Sequence, residues 1–390
     1  MSKSWVSSRV RDLEPSGIRK FFDVVLQMED VISLGVGEPD FVTPWHVREE
    51  GIYALEKGRT TYTSNAGLLE LRQEISRYLS EQYKIDYRPT DQILVTIGAS
   101  EAIDLAIRAV IEPGDEVLIP EPSYVSYSPC VILAGGVPIA VPTTEKTRFR
   151  LTGKDLEGCI TDKTKMLILP YPNNPTGAIM EVENLWDIAA VLKKHNLLIV
   201  SDEIYSELTY NTKHVSIASL PQMYERTLVI NGFSKAFAMT GWRLGYIAGA
   251  PEIIAAMTKI HQFSIMCTPT ISQYAAIEAL RNGMDSVERM RKEYDLRRKF
   301  IVHGLREMGL KCFEPQGAFY VFPSIKSLGL SSEEFCDRLL REERVAVVPG
   351  NAFGKCGEGY IRCSYAYSLK NLEHALVRIK CFVDRLKQSK

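Results

Sequence analysis

The chain predicts an α/β protein: a mostly parallel central sheet covered by helices, with a smaller α+β domain attached. Three observations carry that reading. Short apolar runs at Ile93 to Ile97, Met166 to Leu169, Leu197 to Ser201 and Thr227 to Ile230 are separated by helical periodicity, the pattern of strands buried on both faces. The later runs each stop at a polar cluster, as strands do where open sheets bind ligands. From about residue 286 the texture changes to a long charged helix followed by strand-rich pieces. With 390 residues, 45% of them hydrophobic and 24% charged, the chain is long enough for more than one domain. The expected division is an N-terminal arm joining the small domain over 1–44, a large domain over 45–285 and a small domain over 286–390.

Taken in order, Ser16-Gly17 precedes apolar residues at helical spacing, Ile18, Phe21, Phe22, Val25 and Leu26, which predict a helix packed on another part of the molecule. Val31 to Pro44 reads as a short strand breaking into a loop. Its GVG is half a dinucleotide fingerprint without the third glycine or the following helix. Amphipathic helices follow over roughly 45–57 and 67–81, around a polar turn that holds Tyr62. Then come strand 93–97, helix 100–111, strand 116–119, a helix after EPSYVSY, and strand 137–141. Strands at 166–169, 197–201 and 227–230 continue the sheet, with a helix at 183–195 between the first two. The smaller domain has a long helix over 286–308, strand pieces in GAFYVFPSI, RVAVVPG and GYIRCSYA, and a closing helix from Leu369 to Leu386.

Composition removes several function classes. A formal charge of -1 leaves no electrostatic footprint for nucleic acid or an anionic membrane. Eight cysteines without a CxxC pair and six histidines without ligand spacing indicate neither a metal site nor a disulfide framework. No run of about eighteen apolar residues occurs and MSKSWVSSRVRDLEP has no apolar leader segment, so the expectation is a cytoplasmic protein.

The strand ends carry the chemistry. Gly98-Ala99-Ser100 opens a helix whose free N–H groups make an anion site. PYPNNPTG is a proline-fenced turn presenting Asn174, and SDEIY brings Asp202 and Tyr205. In NGFSKAFAMTGWRLG one loop carries Ser234, Lys235 and Arg243. A guanidinium beside an amine lowers its proton affinity, which makes Lys235 a candidate nucleophile toward a carbonyl. Singly, these residues read as a helix cap, a turn amide, another cap, a core tyrosine and solvated cations. Together they are an anion cradle, a carboxylate, a phenol, an amide and an amine on one sheet edge, the set that pyridoxal phosphate requires. Its aldehyde takes a primary amine, its ring nitrogen an anionic partner, its ring oxygen donors, and its phosphate a helix start and an arginine fork. Tyr124 is placed to stack on the ring.

SLGVGEPDF, YTSNAGLLELR, PNNPTG, SDEIY, the lysine loop, GAFYVFP, VVPGNAFG and YIRCSYA, as a set and in order, resemble the class I aminotransferases of the aspartate aminotransferase fold type I, across nearly the whole chain. The resemblance implies that Lys235 is the Schiff-base lysine and that Asp202 pairs with the pyridine nitrogen. Asn174 and Tyr205 would hold the 3'-oxygen, with Gly98, Ala99, Ser100, Ser234 and Arg243 at the phosphate. Arg362 would grip the substrate carboxylate with Asn174 and the Gly37 backbone. Tyr62 would reach the neighbouring subunit's phosphate, which implies a homodimer with shared sites. Closure of the small domain would exclude water.

Two departures bear on substrate. Gly232 stands where some relatives carry a phosphate-binding serine. Ser100 stands where some aspartate-preferring relatives carry a lysine, and SIMCTPTISQY holds no arginine for a second carboxylate. Similarity is strongest to aromatic and N-acetyl-diaminopimelate aminotransferases, so the expected donor is aromatic or broad, with 2-oxoglutarate as acceptor. The alternatives are an aspartate or N-acetyl-diaminopimelate enzyme, a C–S lyase of the same fold, a ligand-sensing transcription factor and a nucleotide-dependent oxidoreductase.

Overall fold

This computed structural model describes residues 5–11, 13 and 28–388, and the helix expected over Ile18 to Leu26 lies outside them. After β1 (Ile32–Ser33) come α1 (Trp45–Glu56) and α2 (Leu69–Tyr83). The sheet region then runs β2 (Ile93–Thr96), α3 (Gly98–Val110), β3 (Glu116–Glu121), α4 (Tyr127–Ala134), β4 (Val137–Pro142), β5 (Thr164–Leu169), α5 (Val182–Leu192), β6 (Leu198–Asp202), β7 (Thr227–Gly232) and β8 (Gly245–Ala248). Three helices follow, α6 (Pro251–Ser264), α7 (Thr270–Asn282) and α8 (Met284–Glu307). The remainder is β9 (Tyr320–Val321), α9 (Ser332–Glu343), β10 (Val345–Ala346), β11 (Val348–Pro349), β12 (Ile361–Ser364) and α10 (Leu369–Gln388).

The seven-stranded sheet has the order β2-β8-β7-β6-β5-β3-β4, and only β8 is antiparallel to its neighbours. Alternation within each strand serves two cores. Ile168, Val200 and Ile230 meet Ala102, Ile103 and Ile107 of α3 and Met257 of α6 on one face. Leu167, Leu169 and Ile199 turn to the other, against Leu185, Ile188 and Leu192 of α5. Burial on both faces explains why these strands are apolar almost without interruption.

The register aligns the ends that matter. Leu169 pairs with Ser201, and Asp202 with Ile230. Because β8 runs against its neighbours, Gly245 at its start pairs with Gly232 at the end of β7. Thus the chain leaves the sheet at Gly232, loops over its edge and re-enters at Gly245.

A further core gathers Tyr294, Ile301 and Leu305 of α8 with Phe335 and Leu339 of α9, Val345, and Leu372, Ile379 and Phe382 of α10. Val287, one turn from the start of α8, belongs instead to the core behind β7 and β8, with Val229 and Tyr246. One helix therefore spans both cores. The small sheet, β11-β12-β9, lies within this second region, and Arg362 on β12 pairs with Val348.

Differences from the sequence expectation are local. β8 was not anticipated: a four-residue GYIA between a glycine-rich loop and a helix has too short an apolar period to stand out. α3 begins at Gly98 rather than Ser100, and Gly98, where the chain turns into the helix, adopts φ +73, which a glycine tolerates without a Cβ penalty.

Candidate active site

The ends of β2, β3, β5, β6 and β7 surround one cavity of about 410 Å³. It is lined by Gly37, Ala99, Ser100, Tyr124, Asn174, Asp202, Tyr205, Ser234, Lys235, Arg243 and Arg362. Glycine makes this convergence possible. A Cβ on Gly245 would lie 2.7 Å from the Ala99 amide nitrogen, and one on Gly98 would lie 2.8 Å from Arg243 Nη2. The α3 start and the Ser234–Arg243 loop therefore pack closer than side chains would allow. Arg243 itself sits at φ +53, with Nη1 donating to the Thr240 carbonyl at 3.0 Å.

Lys235 Nζ donates to the Gly37 carbonyl at 2.7 Å. Its proton affinity is lowered to about 8, first by burial, then by the charges of Arg362 and Arg243, while Glu38 and Asp202 oppose the shift. The sequence reading ascribed this effect to the neighbouring guanidinium alone. Removal from water is the larger cause, because an ammonium loses more hydration here than its neighbours restore.

Asp202, at the tip of β6, is buried, and burial raises its proton affinity above the ordinary carboxylate value. Tyr127 donates to Oδ2 at 2.7 Å and the Ile204 amide to Oδ1 at 3.2 Å. Asn174 Oδ1 accepts from Arg362 Nη1 at 3.0 Å, which leaves the Asn174 NH2 to donate elsewhere. Tyr205 and Tyr320 share a hydroxyl hydrogen bond of 2.8 Å.

Arg362 is 3% exposed and clasped from two sides, with its guanidinium carbon 4.5 Å from the Tyr320 ring centre and 4.9 Å from that of Phe353. Nη2 donates to the Gly35 carbonyl, and Nε is buried with no partner among the described residues. A buried guanidinium with an unspent donor is built to receive an anion.

Of the residues singled out from sequence, Gly98 lies just behind the lining, against Arg243. Tyr62 lies apart, 80% exposed on its loop. Sequence reasoning missed Tyr127, Tyr320, Thr240 and the Gly35 carbonyl. Tyr320 sits inside an apolar run and reads as core, and Tyr127 lies between two serines, although it follows Tyr124 at a helical interval that would have paired them. Glu38, which accepts from the Thr240 hydroxyl, was missed as well.

The residues fit pyridoxal phosphate. The first-turn amides of α3, Ser234 and Arg243 offer an anion cradle at one end, and the buried Asp202 offers an anionic partner deep in the cavity. Lys235 supplies a partly deprotonated amine between them, with Tyr205 and the Asn174 NH2 as donors beside it.

A family model described as aminotransferase class I and II matches residues 29–379. An aspartate aminotransferase of Pyrococcus abyssi is 50% identical, the match covering 96% of this chain and 97% of that protein. A Bacillus subtilis protein described as "Probable N-acetyl-LL-diaminopimelate aminotransferase" is 45% identical over 98% of this chain and 97% of its own. The crystal structure of an aromatic aminotransferase from Pyrococcus horikoshii superposes with a TM-score of 0.91 at 48% identity, covering 94% of this chain and 99% of that one.

Proposed function

This chain belongs to the class I and II aminotransferases, and from that membership we propose that it moves the amino group of an aromatic or broadly chosen L-amino acid to a 2-oxo acid such as 2-oxoglutarate. It is a transaminase that depends on pyridoxal phosphate. When bound, that cofactor supplies an aldehyde for the amino nitrogen and a ring that draws electrons from the substrate Cα.

The division of labour follows from the side chains. Arg362, its spare Nε included, binds the α-carboxylate, and Asn174 fixes the guanidinium plane. Lys235 is the catalytic base: an amine whose proton affinity lies near 8 accepts the Cα proton and gives it back. Asp202 would face the ring nitrogen and hold a proton there; burial raises its own proton affinity, and a cationic ring nitrogen would offset that by favouring the carboxylate. Arg243, Ser234 and the α3 amides, which line the cavity, would anchor the phosphate, and Tyr124 would stack on the ring. The small region carrying Arg362 closes over this cavity. We assign residues 1–44 to the arm and small domain, 45–285 to the large domain and 286–390 to the small one.

Donor choice rests on one observation. The cavity lining holds three cationic side chains, Lys235, Arg243 and Arg362, and each already has a task. A second substrate carboxylate finds no further cation among the described residues that line the cavity, Ser100 standing where one would serve, whereas Val36 and Tyr124 offer apolar wall. The distal carboxylate of 2-oxoglutarate would then lie toward the open mouth in water. A panel of donors assayed against 2-oxoglutarate, with aspartate and N-acetyl-LL-diaminopimelate included, tests the choice: tyrosine and phenylalanine should exceed aspartate in kcat/KM, and the reverse order rejects it. Oxo-acid release without any acceptor would instead indicate the C–S lyase.

A homodimer is part of the proposal. Trp45, Ile52 and Leu55 on α1, with Tyr62, Phe263 and Met266, leave a broad apolar surface exposed. The 61–66 loop is tied to that patch, Asn65 donating to the Met266 carbonyl at 2.7 Å. Among the described residues no helix is long and apolar enough to cross a membrane, and we place the protein in the cytoplasm.

A further inference from the structure

Glu121 ends β3 on the cavity side of the sheet, yet it lines no part of the cavity. Its backbone is pinned, since both the amide and the hydroxyl of Thr143 donate to its carbonyl, at 2.7 and 2.9 Å. The carboxylate turns away toward the small region. There it lies against the Gly354 turn, where the Lys355 and Cys356 backbone and the Lys355 charge offset part of the rise in proton affinity that burial causes.

The turn it meets is shaped to receive it. Gly354 sits at φ +116, where a side chain is strained, and a Cβ there would run into the Glu121 carboxylate. Directly before Gly354 comes Phe353, 2% exposed, whose ring lies 4.9 Å from the Arg362 guanidinium carbon. The Phe353 carbonyl accepts from the Ser123 amide at 3.0 Å, and Ser123 immediately precedes Tyr124. One side of the arginine clasp is thus fastened to the end of β3, and the other side, Tyr320, to Tyr205 on the same large region.

We propose that Glu121 is a positioning residue for substrate: by holding the Gly354–Cys356 turn against the end of β3, it keeps Phe353 beneath Arg362 and so fixes where the substrate carboxylate binds. The inference rests on the reading of Arg362 as the carboxylate-binding arginine. Without the carboxylate, the Gly354–Cys356 turn loses that anchor, and Phe353, still tied to the Ser123 amide and packed in the core, shifts against Arg362, so one side of the clasp loosens. The Ser123 amide keeps its own bond to Phe353 beside Tyr124, and the residues assigned to the phosphate and the ring nitrogen lie elsewhere, so cofactor affinity should hold.

The test compares Glu121→Ala, Glu121→Gln and Arg362→Lys in the full-length, cofactor-loaded enzyme, measuring KM and kcat for one amino acid and one oxo acid together with cofactor affinity. Glu121→Ala should raise KM for both substrates by about tenfold, with kcat changed by less than about threefold and cofactor affinity unchanged. Glu121→Gln, which keeps one acceptor oxygen, should fall between. Gly354→Ala should reproduce the KM effect from the opposite side of the contact, and it stands in if Glu121→Ala fails to fold. If Arg362→Lys raises KM while Glu121→Ala and Gly354→Ala do not, the role of Glu121 is overturned and that of Arg362 stands. If Arg362→Lys leaves KM unchanged, both are overturned. A parallel loss of cofactor affinity in the Glu121 variants also overturns the proposal, since it signals general disruption.

Discussion

Asn174 Oδ1 accepts a hydrogen bond of 3.0 Å from Arg362 Nη1, joining the turn after β5 to β12 across 188 positions of chain. The amide proposed to face the cofactor and the guanidinium proposed to face the substrate therefore hold each other. Asn174→Ala removes that brace and one cofactor donor together. KM for amino acids should rise by about ten- to hundredfold, the worth of one hydrogen bond to a charged group, and steady-state kinetics checks it. Unchanged KM would show that the two Arg362 clasp rings suffice.

The depressed proton affinity of Lys235 sets a pH dependence. Below about pH 8 the amine is charged and cannot attack an aldehyde, and above that it is free. Covalent cofactor uptake by apoprotein should therefore quicken as pH rises through about 8 and then level off. An ordinary exposed lysine would keep gaining up to about pH 10.4. Stopped-flow absorbance during reconstitution distinguishes the two curves.

Gly98→Ala places a Cβ 2.8 Å from Arg243 Nη2 and forces φ +73 on a residue that resists it. The strain is on the order of 1–3 kcal/mol, released by moving either the helix start or the arginine. Cofactor affinity should fall by roughly five- to hundredfold, as measured by equilibrium dialysis, with the far-ultraviolet spectrum unchanged. An unaltered affinity would remove Gly98 and Arg243 from the phosphate site.

Glu101, in the first turn of α3, accepts from the Ile97 amide at 2.5 Å and meets the fully buried His261 at 2.7 Å. Leaving a buried polar group without its hydrogen-bond partner costs about 1–3 kcal/mol. Glu101→Ala should lower the thermal midpoint and weaken cofactor binding together, because the strand-to-helix turn that presents the α3 amides loses its tie. Calorimetry with and without cofactor checks this.

How far the sequence carried is best seen residue by residue. β5, β6 and β7 are legible because burial on both faces demands uninterrupted apolar residues, and their polar ends expose Asn174, Asp202 and Lys235 by contrast. Strand direction leaves no such mark, so β8 and the return of the chain through Gly245 were invisible. Tyr127 and Tyr320 hide because a phenol anchoring a carboxylate or another phenol looks, in the sequence, like any core aromatic. Gly35, acting through its carbonyl, has no side-chain signal at all. The Lys235 shift was expected in sign, but its larger cause, burial, exists only once the cavity is assembled.

The reversal of β8 couples two tasks in one span. Lys235 and Arg243 belong to a single excursion whose two feet, Gly232 and Gly245, are clamped opposite each other. Its length is consequently a fixed dimension of the enzyme: lengthening or shortening it by one residue would misplace the proposed base and the proposed phosphate anchor at the same stroke, so variation among descendants of this chain should spare the residue count between those glycines even where individual side chains drift.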